Sequence, residues 1–242
     1  MNEITRSLKA RKSVRAFTDR EITAEIKEEI LICAVNAPTA GNQQLYTILD
    51  IQNKELLDKL SVTCDNQPFI KESKLTLIFC ADFKKWYDAF TDTDCNPRKP
   101  REGDFLLAVN DALIAAQNAV CAAESFGIGS CYIGDIMENC SIHREMLNLP
   151  EYVFPAAMLV FGYPEESQIK RQKPERANMK YIVHTDTYKV LDENDRRDLF
   201  SPKAKEKSYE DWMKAFCNRK YNSDFSIEMS ASVKEYLKQW NS

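Results

Sequence analysis

Two arginines flank a hydroxyl near the start of the chain, in the segment Arg11-Lys12-Ser13-Val14-Arg15. If this segment is extended, alternate side chains share one face, which places Arg11, Ser13 and Arg15 together. Guanidinium groups bind phosphate and carboxylate oxygens through paired, charge-assisted hydrogen bonds. The spacing predicts an anion-binding strip, and a solvated basic stretch after a helix is the alternative.

Three further segments supply polar or cationic groups. Residues 38–44, Pro-Thr-Ala-Gly-Asn-Gln-Gln, combine hydrogen-bonding side chains with Gly41, which permits a tight turn. Residues 127–135 contain three glycines, but they follow a predicted helix rather than a strand and lack the full dinucleotide fingerprint. Residues 170–176 carry four cations. Taken alone, residues 38–44 are more typical of an ordinary turn, and residues 170–176 of a solvated surface loop.

The remaining composition disfavours catalysis by the protein's own side chains. The 242 residues include two histidines, and no hydrolase, phosphotransfer or metalloprotease motif is present. The eight cysteines form no C-x-x-C pair, so we expect no metal site, and a chain of this length builds a core without a disulfide scaffold. We therefore expect no catalytic side chain, and infer that a bound cofactor does the chemistry.

Charge and hydropathy predict a cytoplasmic protein with neither a nucleic-acid nor a membrane partner. The net charge is −4 and the pI is near 5.4, whereas a nucleic-acid footprint is usually basic. No apolar run approaches the roughly 18 residues of a membrane helix. Residues 1–17 also lack the apolar core of a signal peptide.

Helices and strands must position these groups. Apolar stretches predict four strands, at about residues 45–51, 74–81, 131–133 and 154–163. The strongest helix is predicted at 104–126, where apolar residues run nearly all the way round, as in a buried central helix. Capping signatures at Ser208 and Ser232 predict two helices in the tail.

The irregular order of helices and strands predicts an α+β fold, with one mixed central sheet surrounded by helices. We expect a single domain over residues 1–242, with a C-terminal helical extension at about 203–242.

Together, these segments resemble the FMN-dependent nitroreductase family, and most closely its NAD(P)H nitroreductase and flavin reductase branch. The motifs occur in family order: R-x-S-x-R-x-F at residues 11–17, A-P-S/T-x-x-N-x-Q at 37–44, the mid-chain segment at 122–134 and the late phosphate loop at 173–188. Gln67, followed by residues 79–82, matches the branch in spacing. Each motif is weak, but the ordered set is specific and spans most of the chain.

The resemblance implies a nitroreductase-like fold and a homodimer with FMN at the subunit interface. It assigns Arg11, Lys12, Ser13 and Arg15 to the cofactor. Arg11 would lie toward the phosphate, and Arg15 near the N1/C2 carbonyl edge, where a cation stabilises the charge that reduction adds. Thr39, from the partner subunit, would also bind the phosphate.

Three more positions complete the cofactor site that the resemblance implies. Gln67 would hydrogen-bond the pyrimidine edge. The segment Tyr132-Ile133-Gly134 would border the ring, with a backbone N–H facing N5. Lys173 and Arg176 would bind the phosphate, and Arg176 fits the spacing better because the late loop reads K-P-E-R against K-P-R.

One departure from the family pattern lies beside the ring. Where related sequences read Y-I-G-G, this chain has Asp135, which we include among the cofactor-binding positions. A carboxylate there could lower the flavin potential.

The implied reaction is a ping-pong, two-electron reduction. NADPH or NADH gives hydride to FMN and leaves, and a small aromatic acceptor, such as a nitroaromatic, a quinone or free flavin, then takes two electrons. Two alternatives stay open. One is a family member with a narrower task, dehalogenation or ene reduction, and the other is a non-catalytic flavin-binding or sensing protein.

Overall fold

The computed structural model describes residues 2–241, which fold into ten α-helices and four β-strands. The strands are β1 (Tyr46–Asp50), β2 (Leu75–Asp82), β3 (Gly129–Ile133) and β4 (Val153–Gly162). The helices are α1 (Glu3–Ala10), α2 (Ala24–Val35), α3 (Lys54–Thr63), α4 (Lys84–Asp92), α5 (Glu102–Ser125), α6 (Cys140–Met146), α7 (Glu166–Lys170), α8 (Glu193–Ala204), α9 (Tyr209–Lys220) and α10 (Asp224–Leu237). The four predicted strands and the long helix are confirmed, with ends that differ by at most two residues.

The strands form one antiparallel sheet in the order β1-β2-β4-β3. The two central strands, β2 and β4, are buried along their whole length, as their continuous apolar runs predict. We expected a mixed sheet, but within residues 2–241 the parallel pairing is limited to an isolated bridge between Ser13 and Ser130. Strand direction depends on where each connecting helix returns the chain, which an apolar pattern does not encode.

The central helix α5 packs through a stripe of small residues against β2, β4 and α2. Its burial is one-sided, because apolar side chains on other positions are exposed: Leu106, Leu107, Leu113 and Ile114. By length and composition alone α5 could cross a membrane, yet 44% of its most apolar window is buried inside the fold. The helix also carries two buried carboxyl groups, Asp104 and Asp111.

The chain divides into two compact units. The first unit, residues 2–172 and 228–241, contains the sheet and α1 to α7. The second unit, residues 173–227, contains α8 and α9. Arg197 of α8 joins the two helices through an ion pair with Glu210 of α9 at 2.7 Å, and it also pairs with Glu193 of its own helix at 3.2 Å. The extension expected at about 203–242 is divided between the two units, and the single-domain description stays a prediction.

The tail confirms one capping prediction and corrects the other. The Ser208 hydroxyl accepts a hydrogen bond from the Asp211 N–H at 3.1 Å and caps α9. Ser232 instead lies inside α10, where its hydroxyl accepts from the Cys140 N–H at 2.9 Å and donates to Glu228 at 2.6 Å. A Ser-x-x-Glu pattern also arises inside a helix, since residues three apart share a face.

Candidate functional site

Residues 13–18 run beside the edge strand β3 and the end of β4. Ser13 forms a parallel bridge with Ser130, in which the Val14 N–H donates to the Ser130 carbonyl at 2.9 Å. Further along, the Thr18 N–H donates to the Tyr163 carbonyl at 2.8 Å. The segment is therefore fixed to the sheet at both ends.

Arg11, Ser13 and Arg15 lie together around one buried thiol, that of Cys131. Burial raises the pKa of Cys131, while the charges of Arg15 and Arg11 and the Ser13 hydroxyl act in the opposite direction. All three side chains must be close to the thiol to have this effect. The structure thus brings together the face that the alternating spacing predicts.

One nitrogen of the Arg11 guanidinium has no hydrogen-bond partner in the described part of the chain. Its Nη1 atom is buried and has no hydrogen-bond partner among residues 2–241, and the same holds for the Ser130 hydroxyl. A buried donor left unpaired costs about 1–3 kcal/mol, and more when it is charged. Arg15 is exposed, with its guanidinium carbon 6.0 Å from the ring centroid of Phe69. These donors suit an anionic group.

Lys12 does not join that group. Its ammonium donates to the Ile169 carbonyl at 2.8 Å and also to the Arg171 carbonyl. Arg171 in turn donates to the Ser13 carbonyl, and the Gln168 amide oxygen accepts from the Arg15 N–H at 3.3 Å. Hydrogen bonds from Lys12 and Arg171 therefore hold residues 11–15 against the segment around α7. The sequence analysis missed the roles of Gln168 and Arg171.

The loop at residues 39–45 is held by Asp111 of α5. Its two carboxylate oxygens accept from the Ala40 N–H at 3.0 Å and the Leu45 N–H at 3.1 Å. Inside the loop, the Thr39 hydroxyl accepts from the Gln44 N–H at 3.2 Å. Asp111 is 2% exposed. The sequence analysis missed it, although a lone carboxylate in an apolar helix must find donors when buried.

Gln67 and Asp135 are bonded to each other. The Gln67 Nε2 atom donates to Asp135 Oδ2 at 2.8 Å and to the Cys64 carbonyl at 2.7 Å. Both amide hydrogens are thereby used. Asp135 opens a single 3-10 turn, Asp135–Met137, that directly follows Gly134 after β3.

The other residues expected beside the ring differ in what they present. Tyr132 is half-buried, its hydroxyl donates to the Gln117 amide oxygen at 3.4 Å, and burial raises its pKa to about 12. Ile133 is 1% exposed, so its side chain belongs to the core and only its backbone is left for a ligand. Gly134 has a right-handed helical backbone that any residue adopts.

Lys173 and Arg176 belong to the second unit, where Lys173 is half-buried and Arg176 is exposed. Their assignment to a phosphate stays a prediction.

A separate surface cleft of about 720 Å³ opens near β1, α3 and the start of β2. Three of its lysines are paired with carboxylates: Lys27 with Asp50, Lys71 with Asp58 and Lys74 with Glu21. Because these pairs compensate its charge, the cleft suits an anion less well than the strip at Arg11.

Metal ligation has no support in the described part of the chain. No cluster of three or more histidine, cysteine or acidic side chains that would suit a metal ion occurs there. All eight cysteines are free thiols, and four of them, Cys64, Cys80, Cys131 and Cys140, are buried.

The chain is similar to known proteins over most of its length. A model of the nitroreductase family matches residues 8–163. The chain is 31% identical over 242 residues to the FMN reductase (NAD(P)H) of Bacillus subtilis, with 99% of this chain and 92% of the relative covered. It is 31% identical over 183 residues to the oxygen-insensitive NADPH nitroreductase of Salmonella typhimurium, covering 75% of this chain and 73% of the relative. The solved structure of B. megaterium NfrA2 has a TM-score of 0.85 at 29% identity, with 98% of both chains covered.

Proposed function

The chain belongs to the nitroreductase family, and we propose from this premise that it is an FMN-dependent oxidoreductase that uses NAD(P)H to reduce small aromatic acceptors. The observation that carries the proposal is the buried, unpartnered Nη1 of Arg11 beside Ser13 and Arg15. The relative printed as an FMN reductase, aligned over nearly the whole chain, supports it.

The two arginines of the strip have distinct tasks toward FMN. Arg11 binds the phosphate, because a buried guanidinium needs an anionic acceptor. Arg15, exposed on the same face, lies near the carbonyl edge of the ring, where its charge favours the reduced cofactor. When bound, FMN supplies the hydride and electron-transfer chemistry, which no protein side chain provides.

Other parts of the proposed site come from four further segments. Gln67 hydrogen-bonds the pyrimidine edge, and the backbone of residues 132–134 borders the ring. The partner's Thr39 binds the phosphate, with Lys173 and Arg176 as further cations. Asp111 keeps the loop that carries Thr39 in place.

A homodimer with FMN at the interface accounts for the exposed apolar side of α5. Leu106 is 59% exposed and Leu107 44% exposed, and on neighbouring α2 Val35 is 51% exposed. Exposed apolar side chains of this size on adjacent helices favour burial against another chain. The proposed occupant is a second copy, and the proposed compartment is the cytoplasm.

The test begins with the purified protein and added FMN. We expect a yellow complex, bleached anaerobically by NADPH or NADH, whose colour returns with a nitroaromatic, a quinone or free flavin. A chain that gains no flavin absorbance overturns the proposal. Bound flavin that neither donor bleaches identifies a flavin-binding or sensing protein instead. Recovery only with a halogenated or α,β-unsaturated acceptor identifies the narrower reductive task.

A further inference from the structure

We propose that Asp135, with the buried Glu138 beside it, positions Gln67, so that Gln67 offers only its carbonyl oxygen to the bound flavin. The inference rests on the proposed function, and it concerns residues that no comparison assigns. Asp135 and Glu138 are positioning residues, since they act through Gln67.

The orientation of the Gln67 amide follows from its partners. Nε2 has two hydrogens, and both acceptors around it are oxygens, those of Asp135 at 2.8 Å and of the Cys64 carbonyl at 2.7 Å. The flipped amide would bring Oε1 against two acceptors. Oε1 therefore points away from both, and it accepts no hydrogen bond from residues 2–241.

A single acceptor at this place selects one atom of the ligand. The pyrimidine edge of a flavin carries two carbonyl oxygens and one donor, the N3–H group. An amide that is free to rotate can serve the carbonyls through Nε2, whereas a locked amide presents only Oε1. Gln67, locked by Asp135, is therefore matched to the N3–H group.

The contact between Asp135 and Gln67 depends on the neighbouring Glu138. Glu138 closes the same 3-10 turn, since its N–H donates to the Asp135 carbonyl at 3.0 Å. Its side chain is 5% exposed, and Oε1 has no hydrogen-bond partner among residues 2–241. A carboxylate next to a buried carboxyl group disfavours ionisation of that buried group.

The groups around Glu138 keep its carboxyl group protonated up to about neutral pH. Burial, together with the charges of Asp135, Glu228 and Asp65, raises the pKa of Glu138 to about 7. His143 on α6 adds no compensating charge, because burial lowers its own pKa. Above pH 7 the Glu138 carboxyl group ionises, and its charge repels Asp135. This repulsion loosens the contact between Asp135 and Gln67.

The first experiment measures FMN dissociation constants by quenching of flavin fluorescence in a double-mutant cycle. Gln67→Ala should weaken binding about 5-fold, the effect of one hydrogen bond. Asp135→Ala should weaken binding by a similar factor alone, and by less than 2-fold when Gln67→Ala is already present. Asp135→Asn is the matched control: it removes the same charge but keeps an acceptor for Gln67, so binding should stay within about 2-fold.

The second experiment repeats the measurement between pH 5.5 and 8.5. The FMN dissociation constant of the wild-type protein should rise several-fold more steeply through pH 7 than that of Glu138→Gln, which keeps a permanent donor to Asp135. The titration of the FMN phosphate is common to both proteins and cancels in their ratio. Glu145→Gln, which removes an exposed charge on α6, should keep the wild-type profile.

The outcomes separate the two levels of the argument. Additive effects of Asp135→Ala and Gln67→Ala, or a wild-type pH profile in Glu138→Gln, overturn the positioning role while FMN binding stands. A wild-type protein that binds no FMN overturns the proposed function itself. Far-UV circular dichroism shows which variants fold. If Asp135→Ala does not fold, Asp135→Asn and Glu138→Gln still test the proposal.

Discussion

Gly129 lies against Val14 so closely that a methyl group at position 129 would stand 2.5 Å from the Val14 Cγ2 atom and 2.8 Å from its Cβ. Val14 is β-branched and buried, so its side chain has no rotamer that clears the space. The same relation recurs at Gly162, where a Cβ would lie 2.6 Å from Phe17. Residues 13–18 can therefore pack beside the sheet because Gly129 and Gly162 carry no Cβ.

Gly129→Ala should therefore destabilise the protein by about 1–3 kcal/mol through overpacking. It should also weaken FMN binding, because Ser13 and Arg15 flank Val14. Urea unfolding with an unchanged m-value measures the first effect. Val14→Ala in the same chain, which removes the two Cγ contacts but keeps the 2.8 Å contact with Cβ, should restore only part of the loss. Gly103→Ala is the control, since nothing lies within 4 Å of its Cβ position. Equal stability of the two alanine variants would contradict the steric argument.

Replacement of the two arginines should separate phosphate from ring recognition. Arg11→Ala should weaken FMN about 10- to 100-fold, the value of a charge-assisted hydrogen bond, and change riboflavin binding less than 3-fold. Arg15→Ala should weaken both ligands, because it faces the ring. Fluorescence titration measures all four constants, and Arg6→Ala on α1 controls for loss of an exposed positive charge. An Arg11→Ala protein that loses riboflavin as strongly as FMN argues against a phosphate contact.

Asp111→Asn should release one of the two loop amides that the carboxylate now holds. An amide side chain has one acceptor oxygen, so either the Ala40 or the Leu45 N–H loses its partner, at a cost of about 1–3 kcal/mol. Hydrogen exchange of these two amides should speed up, as measured by NMR. Asp92→Asn, at an exposed position on α4, should leave both amides as protected as before.

Glu138→Gln should flatten the pH dependence of stability. Because the folded-state pKa of about 7 exceeds the ordinary value of 4.5, the protonated carboxyl stabilises the fold fully below pH 4.5, and this contribution is lost as the pH rises through 7. The variant should gain on the wild type over that window by at most about 3 kcal/mol, less where solvent screens the group. Urea unfolding at pH 5, 6, 7 and 8 checks the sign. A stability difference in favour of Glu138→Gln that grows as the pH falls would refute it.

Leu106→Glu should convert the proposed dimer into a monomer and weaken FMN binding with it. A charge buried in an apolar interface costs several kcal/mol, whereas in the monomer the position is open to water. Light scattering after size exclusion gives the mass, and Val62→Glu, at a 61% exposed position on α3, is the matched control. If the Leu106→Glu protein elutes as the wild type does, α5 is not the interface.

Continuous apolar runs allowed the sheet to be predicted, because β2 and β4 are buried on both faces. The helix α8 was missed, since it is strongly polar and contains Pro202. At the site, alternation placed Arg11, Ser13 and Arg15 together. Spacing cannot show that Lys12 is bonded to carbonyls more than 150 residues away, since only the folded chain brings those groups together.

The hydrogen bonds from Lys12 to the carbonyls of Ile169 and Arg171 also set an order of events during synthesis. The strip that carries Arg11 is synthesised before its hydrogen-bond partners, which lie 157 and 159 residues further along the chain. Contacts of such separation form late, after the entropy of closing the chain has been overcome. The proposed cofactor site is therefore finished only after residues 169–171 have been made, so flavin capture reports a late stage of folding rather than an early one.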